Sequence, residues 1–413
     1  MSAQKDRDMV RRLAAEVAAE AAKPLQRERV ALWTALNDLR PQRPMLWITE
    51  IPWGEFEENV DELRPRCGQP RLRELEQALR RKLFTARRLA TDEVVEGVWR
   101  VGMAIEGADY GVPTSERRIP QGASYILSHH YEPVIRDFPD IGKVRMPAVR
   151  HDAEETARRV AFQAEVFGDI LPVVVDGVRQ HFFAAWDQLV RWTGVTEALV
   201  DLTERPAFIH ALMRRMTDSF LARMSQLEAL GLLTRANELP RVGSGAAGHT
   251  ADLPRPGAPP GRIRPIDQWG GATAQIFGSV SPAMHEEFAL RYELEVMARC
   301  GLNYYGCCEP LHDKMGLLAG VPRLRKISIS PWCDVAKAAE RASRRYVFSH
   351  KPSPAILAEE RFDAARAADD IRGRLARSGG MPCEFVMKDI STVRGDAERL
   401  IAWCDLARAI VAP

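Results

Sequence analysis

The chain has 413 residues, 46% of them hydrophobic and 28% charged. That is an ordinary globular composition, and it excludes a disordered chain, a collagen and a disulfide-dense mini-protein. Lysine and arginine total 58 against 56 acidic residues, a net charge of +2 that leaves no electrostatic footprint for nucleic acid.

The first 40 residues open as MSAQKDRDMVRRLAAEVAAEAAKPL, which has charges but no apolar core of a signal peptide. Their Ala/Glu/Arg content predicts an N-terminal helical extension over residues 1–40, with one domain over 41–413. No run approaches the ~18 uncharged apolar residues of a membrane span. Seven cysteines, an odd number scattered along the chain, form no disulfide framework and point to a reducing cytoplasm.

Strand candidates then follow in order: Met45–Thr49, a strand within Val94–Ile105, Leu171–Asp176 and Gly231–Thr234. Leu302–Gly306, Lys326–Ser330, Tyr346–Ser349 and Cys383–Lys388 complete the series. Helical stretches such as Arg205–Leu230 and Pro282–Cys300 lie between them, with Phe208, Leu212 and Met216 marking a buried stripe. Strand–helix alternation repeated eight times predicts an α/β fold, a (β/α)8 TIM barrel.

Two segments break the rhythm. Ala108–Pro133 is an irregular excursion, and Pro240–Asp267 is rich in glycine and proline. The latter holds a G-x-G-x-x-G, Gly243 to Gly248, but not between a strand and a helix, so a nucleotide-cofactor fold has little support. Following the fourth strand, it is expected as a long loop at the C-terminal face, either a mobile active-site cover or a disordered segment.

In a barrel the informative polar residues follow the C-terminal strand ends. Those positions hold Glu50; Asn237 and Glu238; Cys307, Cys308 and Glu309; Trp332 and Asp334; His350 and Lys351; and Lys388 and Asp389. Thiolate, imidazole and carboxylate are zinc ligands, which makes Cys307, Cys308, Glu309 and His350 a candidate metal set. Buried small hydrophobes and a hydrogen-bonded core histidine are the competing reading of the same residues. Glu50, Glu238, Asp334, Lys351 and Lys388 are candidate catalytic groups. Trp47, Trp53, Asn237, Tyr305, Trp332 and Asp389 are candidate substrate contacts. Cys67, Cys300, Cys383 and Cys404 read as structural.

The stretch AWDQLVRWTGVTEALVDLTERPAFIHALMRR (185–215) resembles the uroporphyrinogen decarboxylase superfamily. So do SPAMHEEFALRYELEVMARCGLNYYGCCEPLHDKM, RKISISPWCDV, YVFSHKPSPAILA and CEFVMKDISTV further on. The likeness spans about residues 40–410 and is nearer to a branch of corrinoid-linked methyltransferases than to true decarboxylases. It implies a (β/α)8 barrel, a homodimer and zinc held by a His-x-Cys pair and a distant Cys. Here the pair region reads Tyr305-Gly306-Cys307-Cys308, with the histidine missing, and His350 is the expected distant ligand. No D-x-H-x-x-G cobalamin motif is present, so a corrinoid would arrive on a separate protein.

The resemblance therefore implies a zinc-dependent methyltransferase moving a methyl group between a small substrate and a corrinoid protein or thiol. A metal-free decarboxylase or lyase on a small carboxylic or tetrapyrrole substrate is the alternative, and a non-catalytic corrinoid-protein partner the third. The acidic stretch after the first strand, RPQRPMLWITEIPWGEF, disfavours a polyanionic porphyrinogen.

Overall fold

The computed structural model describes residues 3–120, 127–342 and 344–412. Seven parallel strands form the central sheet of an α/β protein. In chain order they are β1 (Met45–Ile48), β2 (Gln180–Phe183), β3 (Trp269–Ala272), β4 (Leu302–Tyr305), β5 (Leu324–Ile329), β6 (Val347–His350) and β7 (Cys383–Met387). Their spatial order is β1-β7-β6-β5-β4-β3-β2, every neighbouring pair parallel. Parallel neighbours need crossover connections, which the helices between them supply.

Five of the eight predicted strands lie in this sheet, and three do not. Trp99–Gly102 and Val173–Asp176 pair with each other in a separate ribbon, and Ala104–Glu106 pairs with Arg150–Asp152. Gly231–Thr234 contributes only the bridge Val178–Leu233. In their place stand β2 and β3, which sequence reading missed. β3 is WGGA, a run with low strand propensity. A Cβ on Gly270 would lie 2.4 Å from Cys300 Sγ, and one on Gly271 2.4 Å from the Tyr304 carbonyl oxygen. Close approach selects glycine there against propensity.

Side chains alternate across the sheet. On the outer face Leu46, Ile48, Ile327, Ile329, Phe348, Phe385 and Met387 pack under helices that include Glu398–Val411 and Ala364–Arg377. Each such burial stabilises by roughly 1.5–3 kcal/mol. The inner face carries a polar file, Lys326, Ser328, Ser349 and Glu384, all fully buried, beside Trp47, Val347 and Val386.

What covers that inner face is the glycine-rich segment. Val242, Ala246, Ala247 and His249 are buried, so this part of the segment is packed into the interior. It runs between the two edge strands. Gln180 of β2 bonds the Arg241 carbonyl and the Gly243 amide, while the Arg241 guanidinium reaches Thr49 and Glu50 just past β1. The physical reason is space: a Cβ on Gly245 would meet Tyr304 Cε2 at 2.6 Å and Glu384 Oε1 at 2.8 Å. The three motif glycines let backbone lie on aromatic rings.

Helix Pro24–Asn37 closes the amino end, with Trp33 edge-on to Trp47 at 6.2 Å. Asn37 donates to the carbonyls of Ala247 and His249. Helix Ala3–Ala21 packs its Val10, Leu13 and Val17 against helices Pro70–Arg88 and Ala153–Phe167 in a second, smaller core. Of the Ala108–Pro133 excursion, Ser115–Pro120 and Leu127–Glu132 form an antiparallel hairpin, and residues 121–126 lie outside the described residues. Among the described residues no helix is long and apolar enough to cross a membrane.

Gly245→Ala is expected to cost ~1–3 kcal/mol by overpacking Tyr304 and Glu384, read as a lower denaturant midpoint at unchanged slope.

Candidate active site

Beyond β4 the chain turns at Gly306, whose φ is +94°. A Cβ here would lie 2.7 Å from Leu311 Cδ1 and 3.1 Å from Ser328 Cβ, so glycine is required twice over. The turn brings Cys307 and Cys308 into one pocket, their sulfurs 3.6 Å apart. Adjacent residues on a continuing strand would point to opposite faces; the turn removes that conflict.

The pocket, about 250 Å³, lies past the carboxyl ends of β4, β6 and β7. Cys307, Cys308, Lys351, Lys388, Asp389 and Trp332 line it together with Pro331, Pro352 and Pro354. Lys388 Nζ stands 3.6 Å from Cys307 Sγ, 2.8 Å from Asp389 Oδ2 and 3.8 Å from Glu50 Oε2. Glu50 accepts from Arg241 at 2.8 Å and from the Asp389 amide at 3.1 Å. Glu50 and Asp389 both hold left-handed backbone, φ 57° and 56°. Strained non-glycine residues side by side at a strand-end rim are typical of functional sites.

Charge sets the thiol chemistry. The Cys308 thiol donates toward Cys307, and Lys388 and Lys351 add positive potential. Against burial, these lower the Cys307 thiol to about 7. The same hydrogen bond and burial push Cys308 up, so one proton stays on Cys308 while Cys307 ionises. Burial lowers Lys351 to about 7, with Glu384 opposing. Its Nζ donates to Tyr304 Oη at 3.1 Å and to Ser349 Oγ. Burial also acts on Lys388, but Cys307, Asp389 and Glu50 outweigh it and hold the ammonium charged. Glu50 is driven to about 2: burial opposes, and side-chain hydrogen bonds with Asp389 and Arg241 and the charge of Lys388 prevail.

Of the expected catalytic groups, Glu50, Lys351 and Lys388 meet at this pocket; Glu238 and Asp334 do not. Glu238 is exposed and lines a groove with Gln26, Val94 and Arg100. Asp334 caps helix Val335–Arg341, its carboxylate accepting from the Lys337 amide. Of the expected substrate contacts, Trp332 and Asp389 line the pocket, and the indole of Trp332 is 69% exposed. Trp47 is buried against Trp33, and Trp53 sits outside the sheet with Phe56 and Phe84. The Asn237 carbonyl accepts from the Thr250 amide. Tyr305 faces the outer side, where its hydroxyl meets His285 at 2.5 Å and donates to Glu293 at 2.7 Å.

The four residues expected to hold zinc are not brought together. The His350 ring lies on the outer face, stacked on Phe385 at 5.0 Å and bonded to Ser378 at 2.9 Å. Strand alternation is the reason: Ser349 and Lys351 point inward, so His350 points out. The Glu309 carboxylate is consumed by the Thr273 hydroxyl and the amides of Cys307 and Ala274. Among the described residues no three His, Cys, Asp or Glu side chains are grouped to hold a metal ion. The Lys388 ammonium beside Cys307 disfavours a second cation at the thiols.

Sequence reading missed Arg241, Ser349 and Glu384 as parts of this site. The signal was present in the alternation Lys326-x-Ser328-x-Ser330, Ser349-x-Lys351 and Glu384-x-Val386-x-Lys388, a polar file on one side of three strands.

No protein family matches the chain, and no curated protein does. Among solved structures it is similar to a methyltransferase from Methanosarcina mazei, at 12% identity over 92% of this chain and 98% of that one, with a TM-score of 0.51. At that identity the likeness bears on the fold alone.

Alkylation of Cys307 by iodoacetamide, followed by mass spectrometry across pH, is expected to rise with a midpoint near pH 7 rather than near 9. Lys388→Met removes the nearest cation and shifts that midpoint upward by ~1 unit or more; an unmoved midpoint refutes the electrostatic account.

Proposed function

We propose that this chain is a methyltransferase acting on a small substrate in the Cys307–Lys388 pocket, on a barrel whose eighth position is taken by residues 239–250. One observation carries the reading: a thiol poised to ionise at neutral pH, 3.6 Å from an ammonium, at the strand-end mouth. The likeness in fold to a protein named a methyltransferase supports it.

In the proposed reaction the Cys307 thiolate attacks the methyl carbon of the donor. The S–C bond forms as the bond from carbon to the donor heteroatom breaks, and the donor leaves with that electron pair. In a second displacement an acceptor thiolate, its proton already lost to solvent, or a reduced corrinoid carried on a separate protein attacks the methyl carbon; its bond to carbon forms as the Cys307 S–C bond breaks, and that electron pair restores the thiolate. Lys388 holds Cys307 ionised between turnovers, Cys308 donates the hydrogen bond that stabilises it, and the Glu50–Arg241 pair fixes the rim. Trp332 and the three prolines give the apolar wall against which a methylated group would lie.

A second reading, a metal-free lyase on a small carboxylic substrate, rests on Lys351, whose buried amine is partly neutral near pH 7. Borohydride trapping with a 2-oxo acid separates the two: an adduct on Lys351 assigns the lyase, and methyl transfer predicts none.

Cys307→Ser is expected to lower kcat/KM for methyl transfer about a hundredfold or more, while Cys308→Ser keeps turnover but moves its pH profile upward. Intact-mass analysis after a single donor-only turnover should show +14 Da on Cys307. His350→Ala is expected to lower the melting temperature and leave the metal content of the purified protein unchanged.

A further inference from the structure

A second pocket, about 680 Å³, opens at the carboxyl end of β2, and among the described residues it shares no lining residue with the thiol pocket. Its walls are aromatic, from Tyr110, Phe182, Phe183 and Phe220. Among the described residues its one cation is Arg223, on helix Pro206–Ala229.

Arg223 is half-buried and makes no ion pair with any described residue. Its guanidinium lies over the Phe220 ring at 5.3 Å, and its Nε is enclosed with no hydrogen-bond partner. The two carboxylates at the rim make no ion pair with it: Glu106 is bonded to Arg150, and Asp109 accepts from the Gly111 amide. Burial disfavours its charge. A half-buried guanidinium on the wall of an aromatic pocket, with no carboxylate paired to it among the described residues, is half of a recognition site.

We propose that this pocket binds a small carboxylate carried on a flat apolar body, its oxygens bidentate on Arg223 and its ring between Phe220, Phe182 and Tyr110. One cation with two carboxylates at the rim suits a monoanion and repels a phosphate dianion. The aromatic walls select a planar body by stacking and edge contacts. The proposal stands apart from the reaction assigned to Cys307, because no residue of the thiol pocket takes part.

The test is calorimetric titration of the full-length protein with 2-naphthoate and with 2-naphthamide, a neutral isostere. The acid is expected to bind at least about tenfold tighter than the amide. Arg223→Gln should remove most of that difference, Arg223→Lys part of it, and Lys388→Met none. Equal binding of acid and amide, no binding of either, or a loss in Lys388→Met in place of Arg223→Gln overturns the proposal. Thermal unfolding keeps the variant interpretable. Because Arg223 makes no ion pair among the described residues, Arg223→Gln should leave the melting temperature nearly unchanged, and a fall of several degrees would mark Arg223 as structural and overturn the assignment.

Discussion

The interior is organised around one ion pair. Lys326 Nζ and Glu384 Oε2 lie 2.7 Å apart, both side chains wholly out of solvent. Isolated, either charge would be prohibitively costly there, and a buried pair is tolerated only when its remaining donors and acceptors are used. They are. Lys326 also donates to the Ala247 carbonyl, and Glu384 accepts from Ser349 and from the Ala246 amide. The pair therefore links β5, β6 and β7 to the glycine-rich segment, and losing one partner would cost ~3–5 kcal/mol. Apolar residues at both positions would fill the same space, but they would not specify where residues 246 and 247 sit.

That requirement propagates to the mouth. Glu384 raises the basicity of Lys351 against its burial, and Lys351 in turn donates to Tyr304, whose ring carries Gly245. A polar file thus runs from a neutralised pair at the amino end to Lys351 and Lys388 at the carboxyl end. The excess positive charge at that end is what Cys307 answers when it ionises. The acids Glu50 and Asp389 engage Lys388 from the rim but stop short of the sulfur, so the thiolate keeps its counter-ion.

Much of this was legible in the chain, and the failures have physical causes. Five strands are legible as apolar or β-branched runs, and the thiols directly follow one of them, Leu302–Gly306. β3 was missed because its two glycines are there for close approach, a tertiary demand that propensity does not record. The glycine-rich segment was read as a loop because it lacks apolar periodicity, yet burial here comes from backbone lying against Tyr304 and Trp269 rather than from side chains. The side of the sheet that His350 takes is legible in the sequence. Its neighbours Ser349 and Lys351 fix the phase of β6, and a period of two puts the imidazole on the other side.

The treatment of charge across the rest of the molecule gives Arg223 its meaning. Asp92, buried, is held by both Arg43 and Arg408 at 2.8 and 2.7 Å. Glu76 takes Arg80 at 2.8 Å, and Arg100 is shared by Glu96 and Asp176. Where no acid is near, carbonyls serve: Arg29 donates to those of Thr91 and Glu93. Compensation is the rule even where it takes three side chains. A half-buried guanidinium with no ion pair among the described residues, beside a 680 Å³ aromatic pocket, departs from that rule. It is a local cost of the kind that folds retain where the missing partner arrives from solution.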